Sequence, residues 1–560
     1  MGTRPAAAVA LSLLRLDGLA CTGDPSGATR PTATGSQHLL VNPSAVATAD
    51  RARLVVGRAE RLGRPLLGEE RPWDVDWGNA YPNVAFDAET RKYKLWWGGL
   101  AACPEDYAHL EPGCVPMPAA PPYTSCVCPV PTYQWPVWRP PQNVTSEWSL
   151  QYYAESTDGL NWTRPGLDLF QLPYHGDGSG DVVLWAPGAD MNRGVLLDTT
   201  CANASERYKM LGSFGRGLPN QRVVSSTYGT AVSENGKHWS SVRPIVGPGF
   251  SGFMGEPVAI KMDSHHNIMY DESRGLYFAY VRVQPPPSCL KDHPTTCLFH
   301  RIGVTSSRDF VTWTPPVQIL VGDSEATNLT YAMVGWREAD TYLGVVMVYS
   351  RATGLVGCEL AASAEPDRGW QRVEPGVSLI PRGPPGAFDR SVCFAAAHPL
   401  RQPSAGRGGG TPPHRVYYAA ADGHHSSVRR NKISVATLRP HGFAGFRATD
   451  TAEAVVTTRP LLCTGAVLTI TADALGGEVR IGAVGIAGLA PSDNVAMLAS
   501  NVTAAPVRFR NGATFAAVVG RNVTLALHFR GATVYAVGFT AAAPAAPSSA
   551  NPQHEPQPRP

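Results

Sequence analysis

The chain has 560 residues, of which 43% are hydrophobic, enough to form a substantial core and to exclude wholesale disorder. Only 17% are charged, while 56 glycines and 50 prolines interrupt the sequence, which disfavours helical bundles and favours short strands joined by turns. The net charge is +3 and no basic stripe is interleaved with aromatic residues, so the sequence gives no support to nucleic-acid binding.

The N-terminus has the pattern of a secretory leader. Arg4 is followed by a largely apolar run over 6–14, and small residues stand at the −3 and −1 positions of a cleavage site before Cys21. No stretch reaches the ~20 apolar residues that a membrane-spanning helix needs. We therefore expect a signal peptide at 1–20, an N-terminal segment at 21–51, no membrane span, and a protein that is secreted or lies in the endomembrane lumen.

Cysteines and glycosylation sequons point to the same compartment. Setting Cys21 aside leaves ten of the 11 cysteines, an even number, and the absence of paired CxxC knuckles favours disulfides over structural zinc. We predict that disulfides involve Cys103, Cys114, Cys126, Cys128, Cys289 and Cys297, with Cys289 bonded to Cys297. The predicted glycosylation sites are Asn143, Asn161, Asn203, Asn328, Asn501 and Asn522.

A turn motif that recurs along the middle of the chain is the strongest internal signal. Each copy has a Ser, a tight polar turn and a Trp near the end of a predicted strand; the copies are Ser156–Trp162, Ser233–Trp239, Ser307–Trp313 and, more loosely, Ser363–Trp370. Asp-Gly and Asn-Gly turns bond their own backbone and favour β-hairpins. We expect each Trp to pack over its turn as a wedge between neighbouring sheets.

Hairpin patterns of apolar and aromatic residues recur between these turns, and a fifth unit without the Trp turn runs over 416–437. Five units of about 50 to 80 residues, each with room for four strands, predict a five-bladed β-propeller over 52–447. The alternative is an array of β-sandwiches, in which turns recur at the shorter spacing of about 8–12 residues. Residues 102–148 are a Cys- and Pro-rich insertion in the first unit.

The sequence changes character after Arg459, where short and mostly alternating strands predict a separate β-sandwich, assigned to 448–540. The segment 541–560 is rich in Pro, Ala and Ser and predicts a disordered tail. The predicted fold is therefore all-β, with a five-bladed β-propeller followed by a C-terminal β-sandwich.

Six short segments carry a family resemblance: Arg71–Asp74, Asn79–Asn83, Tyr153–Trp162, Cys358–Leu360, Leu379–Gly383 and Ala436–Phe443. They resemble the five-bladed propeller glycoside hydrolases, a superfamily that includes families 32, 43, 68 and 130, and most closely the members described as family 32 N-terminal domain-like. The resemblance covers most of 65–540. It implies a secreted glycoside hydrolase that acts on an oligo- or polysaccharide, and we expect a monomer. The signature motifs of invertases are absent, so fructan specificity is not implied, and the polar turns also resemble the Asp-boxes of sialidases.

Carboxylates at the start of innermost strands are the expected catalytic groups, because glycoside cleavage needs a proton donor and a nucleophile or base. The candidates, one from each of four units, are Asp76, Asp263, Glu359 and Asp389. We expect at least three carboxylates to converge in one pocket and to raise the pKa of one of them by charge repulsion. Each has a structural alternative: a turn residue, an Asx-turn, an ion pair with Arg, or a surface pair between Asp389 and Arg390.

The candidate substrate-binding residues are Asp74, Asn79, His265, Asn267, Trp135 and Trp138. The polar run 263–267 directly precedes an apolar strand and is hard to explain by packing, while the two tryptophans lie in the insertion and could stack on sugars at the rim of the pocket. A metal at His265 is the alternative to a hydrogen-bonding role; we predict no metal and no cofactor. The rival to an enzyme is a non-catalytic carbohydrate-binding or adhesion propeller that lost the acid pair.

Overall fold

The structure is a computed structural model that describes residues 35–70, 74, 77–101, 115–117, 125–127, 148–169, 180–187, 192–214, 228–247, 264–283, 300–323, 328–401, 412–425, 429–498 and 500–541. Over these residues it contains strands, 3₁₀ helices at Ala204–Glu206, Pro491–Asp493 and Phe515–Val518, and no α-helix. The prediction of an all-β protein is confirmed. In the same ranges no helix has the length and apolar character needed to cross a membrane.

Five antiparallel sheets follow one another along the chain between residues 83 and 438, and we number them in that order. Sheet 1 contains Asn83–Asp87, Lys92–Ala101, Trp148–Ser156 and Val182–Pro187. Sheet 2 contains Gly194–Leu197, Tyr208–Ser213, Tyr228–Ser233 and Arg243–Pro244. Sheet 3 contains Asn267–Asp271, Leu276–Val283, Arg301–Ser307 and Val317–Val321. In each of the three, strands adjacent in sequence are adjacent in space.

Sheets 4 and 5 follow the same plan with additions. Sheet 4 contains Leu329–Glu338, Thr341–Ser350 and Leu355–Ser363, whose outer edge pairs with Gln371–Arg372 and Ser378–Ile380. Sheet 5 contains Val392–Ala395, His414–Ala421 with Leu400–Arg401 beside it, and Lys432–Leu438. Its outer edge is completed by Glu60–Arg61 and Leu67–Gly68, so residues that precede sheet 1 in the chain complete the last of the five sheets.

A repeated hydrogen bond joins sheet 1 to sheet 2, sheet 2 to sheet 3 and sheet 3 to sheet 4. The carboxylate at the end of the first strand of one sheet accepts this hydrogen bond. The donor is an aromatic residue at the start of the second strand of the following sheet. Tyr208 Oη donates to Asp87 Oδ2 over 2.7 Å, Tyr277 Oη donates to Asp198 Oδ2 over 2.5 Å, and Tyr342 Oη donates to Asp271 Oδ2. Between sheets 4 and 5 the same positions hold Glu338 and His414, whose Oε1 and Nε2 lie 3.6 Å apart.

The recurring turns have the predicted local structure. Ser156 Oγ accepts from the backbone N–H of Gly159 over 2.8 Å, and Asp158 Oδ1 accepts from the N–H groups of Leu160 and Asn161. The second turn repeats these bonds at Ser233 and Asn235, and the third at Ser307 and Asp309. Side-chain acceptors thus satisfy the backbone donors of each turn, which is why the motif needs Ser and Asp or Asn at these places.

Two of the turn tryptophans pack against a neighbouring sheet, as the wedge prediction requires. Trp370 of sheet 4 lies 5.6 Å from the ring of Tyr280 in sheet 3. Trp162 of sheet 1 lies 5.8 Å from the ring of Tyr417 in sheet 5, so the first and last sheets are also in contact.

Two further sheets share a separate apolar core that includes Ile470 and Phe539 from one and Ile481 and Leu527 from the other. Sheet 6 contains Ala52–Val56, Ala444–Ala448, Thr533–Thr540, Val467–Asp473 and Asn501–Pro506, with Gly35–Leu39 paired to Thr533–Thr540. Sheet 7 contains Val46–Asp50, Ala454–Thr458, Leu525–Arg530, Glu478–Ala483 and Met497–Leu498. Small two-stranded ladders pair Leu461–Leu462 with Asn522–Val523 and Val115–Met117 with Ser125–Val127.

The strand pairing differs from the boundaries drawn on the sequence. The strands Gly35–Leu39, Val46–Asp50 and Ala52–Val56 pair with C-terminal strands, and Ala52–Val56 pairs along its length with Ala444–Ala448. Local patterns predict a strand but not its distant partner, so the sequence placed the start of the first unit too early. Sheets 6 and 7 together are called the second unit. Sheet 4 contacts the second unit through His38 and Asp340, whose Nδ1 and Oδ2 are 2.8 Å apart.

Candidate functional site

The first strands of sheets 1, 2 and 3 begin close together, and we call this end of the sheets the entry end. Asn83 opens the first strand of sheet 1, and its Oδ1 accepts from Val195 N of sheet 2 over 3.1 Å and lies 3.0 Å from His265 Nε2, just before sheet 3. Its Nδ2 donates to the carbonyls of Tyr81 and Arg193. One buried amide therefore joins three sheets at the entry end.

His265 is 1% exposed and its ring stacks on Tyr81 at 5.4 Å between centroids. Burial, together with the nearby His266 and His398, lowers the pKa of His265 to about 3. The imidazole is therefore neutral near pH 7. It forms hydrogen bonds there but carries no imidazolium proton to donate. The substrate-binding role that the sequence assigns to His265 stays a prediction.

Several buried polar atoms at the entry end have no hydrogen-bond partner among the described residues: both side-chain polar atoms of Asn192, Nδ2 of Asn267, Nδ1 of His265 and Oγ of Ser264. Leaving such an atom unpaired costs about 1–3 kcal/mol, so folded proteins rarely concentrate them. Water or a polar ligand can pair atoms of this kind. We call these four residues with Asn83 the central polar cluster.

Aromatic rings from sheets 1, 4 and 5 border the central polar cluster. Phe394 lies 5.9 Å from Tyr81 and 6.0 Å from Tyr331, and His425 lies 4.7 Å from Tyr331 and 4.6 Å from Tyr349. Tyr331, Tyr349 and His425 are partly exposed. We call these five residues the aromatic wall; flat rings with exposed edges suit the apolar faces of sugars.

The backbone that leads into sheet 1 is strained. Ala80 and Tyr81 have φ of 55° and 43°, in the left-handed region that residues with a Cβ seldom adopt. Strain of this kind persists when surrounding contacts enforce it and is frequent at functional sites. Here Asn79 supplies such contacts, since its Nδ2 donates to Tyr81 Oη over 2.8 Å and its Oδ1 accepts from Arg429 over 2.6 Å. Asn79, a predicted substrate-binding residue, thus lies at the entry end and holds Tyr81.

Asn267, also predicted to bind substrate, repeats the arrangement of Asn83. Its Oδ1 accepts from Gly335 N of sheet 4 over 2.9 Å, as Asn83 accepts from sheet 2. The sequences Asn83-Val-Ala-Phe-Asp87 and Asn267-Ile-Met-Tyr-Asp271 share Asn at the first position and Asp at the last. This internal match was the signal that could have identified Asn83 as a site residue before the structure was known.

Asp74 lies in a buried ion-pair network. Arg164 donates to both carboxylate oxygens of Asp74 over 2.6 and 2.8 Å and to Asp181 over 2.7 Å. The guanidinium centre lies 5.3 Å from the ring of Trp97. Burial opposes the charge of Arg164, but the two carboxylates outweigh it and raise the pKa of the guanidinium further. The contacts of Asp74 with Arg164 are those of a structural ion pair.

Glu359 does not lie where the sequence placed it. It is in the third strand of sheet 4 and not at the start of the first strand, and Arg372 Nη1 donates to its Oε2 over 3.0 Å. Burial raises the pKa of Glu359 against the lowering effect of Arg372, and Asp323 adds a smaller raising effect. The rise expected from clustered carboxylates therefore has burial as its main cause here.

Asp389 precedes the first strand of sheet 5, as predicted, but it is 2% exposed and both its oxygens accept from Arg61 Nη1, over 2.9 and 2.7 Å. Tyr418 Oη donates to it as well. The suggested surface pair with Arg390 is wrong, because the carboxylate turns to an arginine from the outer edge of the same sheet. Glu359 and Asp389 are bound to different arginines, Arg372 and Arg61.

The remaining predicted site residues lie outside the described residues. These are Asp76, Asp263, Trp135, Trp138, Cys103, Cys114, Cys128, Cys289, Cys297 and Asn143. Cys126 lies in the strand Ser125–Val127. Among the other sequons, Asn161, Asn501 and Asn522 are exposed, while Asn203 and Asn328 are partly exposed.

Sequence reasoning missed a disulfide between Cys358 and Cys393, which joins the third strand of sheet 4 to the first strand of sheet 5 with 5.7 Å between Cα atoms. Cys201 is also disulfide-bonded, and Cys463 is a buried free thiol. Over the described residues no group of three His, Cys, Asp or Glu side chains is arranged to hold a metal ion.

No protein-family model matches the sequence, and no curated protein matches it. Among solved structures, the chain is similar to an N-acetylgalactosamine deacetylase from F. plautii in complex with blood group B trisaccharide, at 13% identity, covering 70% of this chain and 96% of that one, with a TM-score of 0.35. It is also similar to a thermostable family-43 glycoside hydrolase, at 13% identity, 64% and 89% coverage and a TM-score of 0.38. A third is a β-1,2-mannobiose phosphorylase from Listeria innocua, at 14% identity, 68% and 96% coverage and a TM-score of 0.39.

One of these neighbours is named as a family-43 glycoside hydrolase, and family 43 is among the families named in the sequence resemblance. The three neighbours are named for three different reactions, and at these identities and TM-scores the likeness carries no argument about fold, substrate or reaction.

Proposed function

We propose that sheets 1 to 5 are the blades of a five-bladed β-propeller and that sheets 6 and 7 form a β-sandwich. The hydrogen bonds between successive sheets from 1 to 4 support the ring, as do the contact of Glu338 with His414 between sheets 4 and 5 and that of Trp162 with Tyr417 between sheets 1 and 5. The apolar core shared by sheets 6 and 7 supports the sandwich.

We propose that this protein is a glycoside hydrolase whose substrate enters at the entry end. The observation that carries the proposal is the meeting of the central polar cluster with the aromatic wall, since sugars need both hydrogen-bonding groups and flat apolar rings. Asp263 directly precedes Ser264 of the cluster in the sequence, and Asp76 directly precedes the buried Trp77.

Asp76 and Asp263 are the proposed acid pair, one donating a proton to the leaving oxygen and the other acting as nucleophile or base. Glu359 and Asp389 are not part of the pair, because each carboxylate is already bound to an arginine. His265 is proposed to contact the substrate through Nδ1, its ring held by the bond from Nε2 to Asn83.

The test is a panel of neutral and acidic glycans assayed with the wild type and with Asp76→Asn and Asp263→Asn. We expect each substitution to lower turnover by about 10² to 10⁴-fold while binding of the glycan persists, since the amide keeps the shape but cannot exchange a proton. Asp450→Asn, at an exposed site on the second unit, is the matched control and should leave turnover unchanged. Full turnover by both site variants would overturn the assignment.

A carbohydrate-binding propeller without catalysis is the second candidate, and one observation favours it. Each predicted acid that the structure describes is held by an arginine: Asp74 by Arg164, Glu359 by Arg372 and Asp389 by Arg61. A binding protein would show no turnover on any glycan of the panel and would bind glycan equally well with Asp76→Asn.

We also propose that the protein is a secreted, monomeric glycoprotein with several disulfides. The exposure of Asn161, Asn501 and Asn522 supports glycosylation at these sequons. The bonded state of Cys201, Cys358 and Cys393 supports an oxidising compartment. Mass spectrometry of the secreted protein, before and after removal of N-glycans, tests both statements.

A further inference from the structure

A second feature of the entry end is a cleft of 560 Å³ between sheets 4 and 5. Its walls come from the turn after the strand Thr341–Ser350, from the residues that precede sheet 5, and from the turn after the strand His414–Ala421. A cleft of this volume falls within the range of about 300–1,000 Å³ that is typical of small-ligand sites.

The cleft adjoins the aromatic wall. His424 lines the cleft and its neighbour His425 belongs to the wall, and His425 N donates to the carbonyl of Gly354, next to the cleft residue Thr353, over 2.8 Å. A ligand that stacks on Tyr349 or Tyr331 therefore lies beside the cleft. Cleft and wall are therefore neighbours at the entry end.

Two arginines give the cleft its charge. Arg382 and Arg390 are exposed, and neither forms an ion pair with any described residue. The carboxylate beside Arg390 in the chain, Asp389, is committed to Arg61 and does not neutralise it. The cleft also contains one carboxylate, Asp422, so the two guanidinium groups leave an excess of positive charge.

From this geometry we infer that the cleft binds the anionic group of an acidic glycan, a carboxylate or a sulfate carried by a sugar that neighbours the one on the aromatic wall. Guanidinium groups donate two parallel hydrogen bonds to planar or tetrahedral oxyanions and are therefore the usual partners of such groups. This inference rests on the proposed carbohydrate function and narrows its substrate class to acidic glycans.

Binding is measured by isothermal titration calorimetry with a galacturonic acid hexamer, a heparin-derived hexasaccharide and a neutral xylose hexamer. The first probe carries carboxylates alone and the second carries sulfates as well as carboxylates, so tighter binding of the second indicates that sulfate is recognised. We expect at least one of them to bind about tenfold or more tightly than the neutral hexamer, with an affinity that falls as salt is added.

The double variant Arg382→Ala/Arg390→Ala should weaken binding of that acidic glycan by about tenfold or more and leave the neutral hexamer unaffected. Arg508→Ala/Arg510→Ala removes the same charge from exposed positions on the second unit and should change binding by less than about twofold. Equal weakening by the two double variants, equally tight binding of the neutral hexamer, or equally tight binding of a single-stranded oligonucleotide would overturn the inference.

These outcomes are independent of turnover. If no glycan is cleaved and the cleft variant alone loses affinity for acidic glycan, the hydrolase proposal fails and the cleft assignment stands. If glycan is cleaved but the acidic and neutral hexamers bind alike, the hydrolase proposal stands and the cleft assignment fails.

Discussion

Tyr277 shows what one hydroxyl contributes to the bond that repeats between sheets. Its Oη donates to Asp198 Oδ2 over 2.5 Å, and both side chains are buried. Tyr277→Phe keeps the ring contact with Phe310 at 5.2 Å but leaves one oxygen of a buried carboxylate without this donor. We expect the substitution to lower the free energy of unfolding by about 1–3 kcal/mol, measured by urea denaturation.

Tyr93 provides a matched control, because it stands at the start of the second strand of sheet 1, as Tyr277 does in sheet 3. Its hydroxyl makes no hydrogen bond with any of the residues that the structure describes. Tyr93→Phe should therefore change the free energy of unfolding by less than about 0.5 kcal/mol. Equal losses in the two variants would show that ring packing, and not the bond to the acid, explains the effect of Tyr277→Phe.

At the residue scale, the sequence predicts a site residue only where the signal lies in its near neighbours along the chain. The run before Asn267 was identified because polar residues directly before an apolar strand are visible locally. The partner of Asp389 was not visible, since Arg61 lies 328 residues earlier in the chain. A carboxylate at the expected position can be either catalytic or structural, and only the distant partner distinguishes the two.

At the scale of elements, the disulfide between Cys358 and Cys393 ties sheet 4 to sheet 5. The two residues are 35 positions apart in the sequence. In the chain-entropy model, closing a loop of this length lowers the conformational entropy of the unfolded chain, which raises its free energy by about 4 kcal/mol. We expect Cys358→Ser/Cys393→Ser to lower the free energy of unfolding by about 2–4 kcal/mol, measured by denaturation without reductant.

Cys463→Ser is the control for this double variant, because Cys463 is a buried thiol that forms no disulfide. It should lose less stability and should respond to strong reductant as the wild type does. The double variant, in contrast, should be insensitive to reductant at this bond. A double variant as stable as the wild type would mean that contacts such as Glu338 with His414 hold sheets 4 and 5 together without the covalent link.

Elements also differ in how far the sequence predicts them. The turns that begin at Ser156, Ser233 and Ser307 follow from the sequence because their bonds join residues two or three positions apart. The pairing of Ala52–Val56 with Ala444–Ala448 and the bond between Cys358 and Cys393 depend on the whole chain closing on itself. Local chemistry predicts the repeat, and long-range closure decides which unit a strand joins.

At the scale of the whole molecule, four histidines that are buried or partly buried predict a loss of stability in mild acid. Burial lowers the pKa of His265 to about 3, of His414 and His441 to about 4, and that of His398 below the usual 6.5. In the unfolded chain the same groups take up protons below about pH 6.5. The unfolded state therefore binds more protons than the native state between about pH 6.5 and 4, so stability falls as the pH falls through this range.

The expected size is on the order of 1 kcal/mol for each histidine and each pH unit below 6.5, measured as the free energy of unfolding in urea at pH 7.5, 6.5 and 5.5. His414 is a clear reporter: burial and Arg401 both lower its pKa, and the pKa of the neighbouring Glu338 is raised by burial and partly restored by Arg401. His414→Gln removes one titrating group, so stability should fall less steeply with acid whatever the variant costs at pH 7.5. His238→Gln, at an exposed position, should keep the wild-type slope. Stability that is equal at pH 7.5 and 5.5 would contradict the prediction, because it would mean that these histidines take up protons in the native protein as readily as in the unfolded chain.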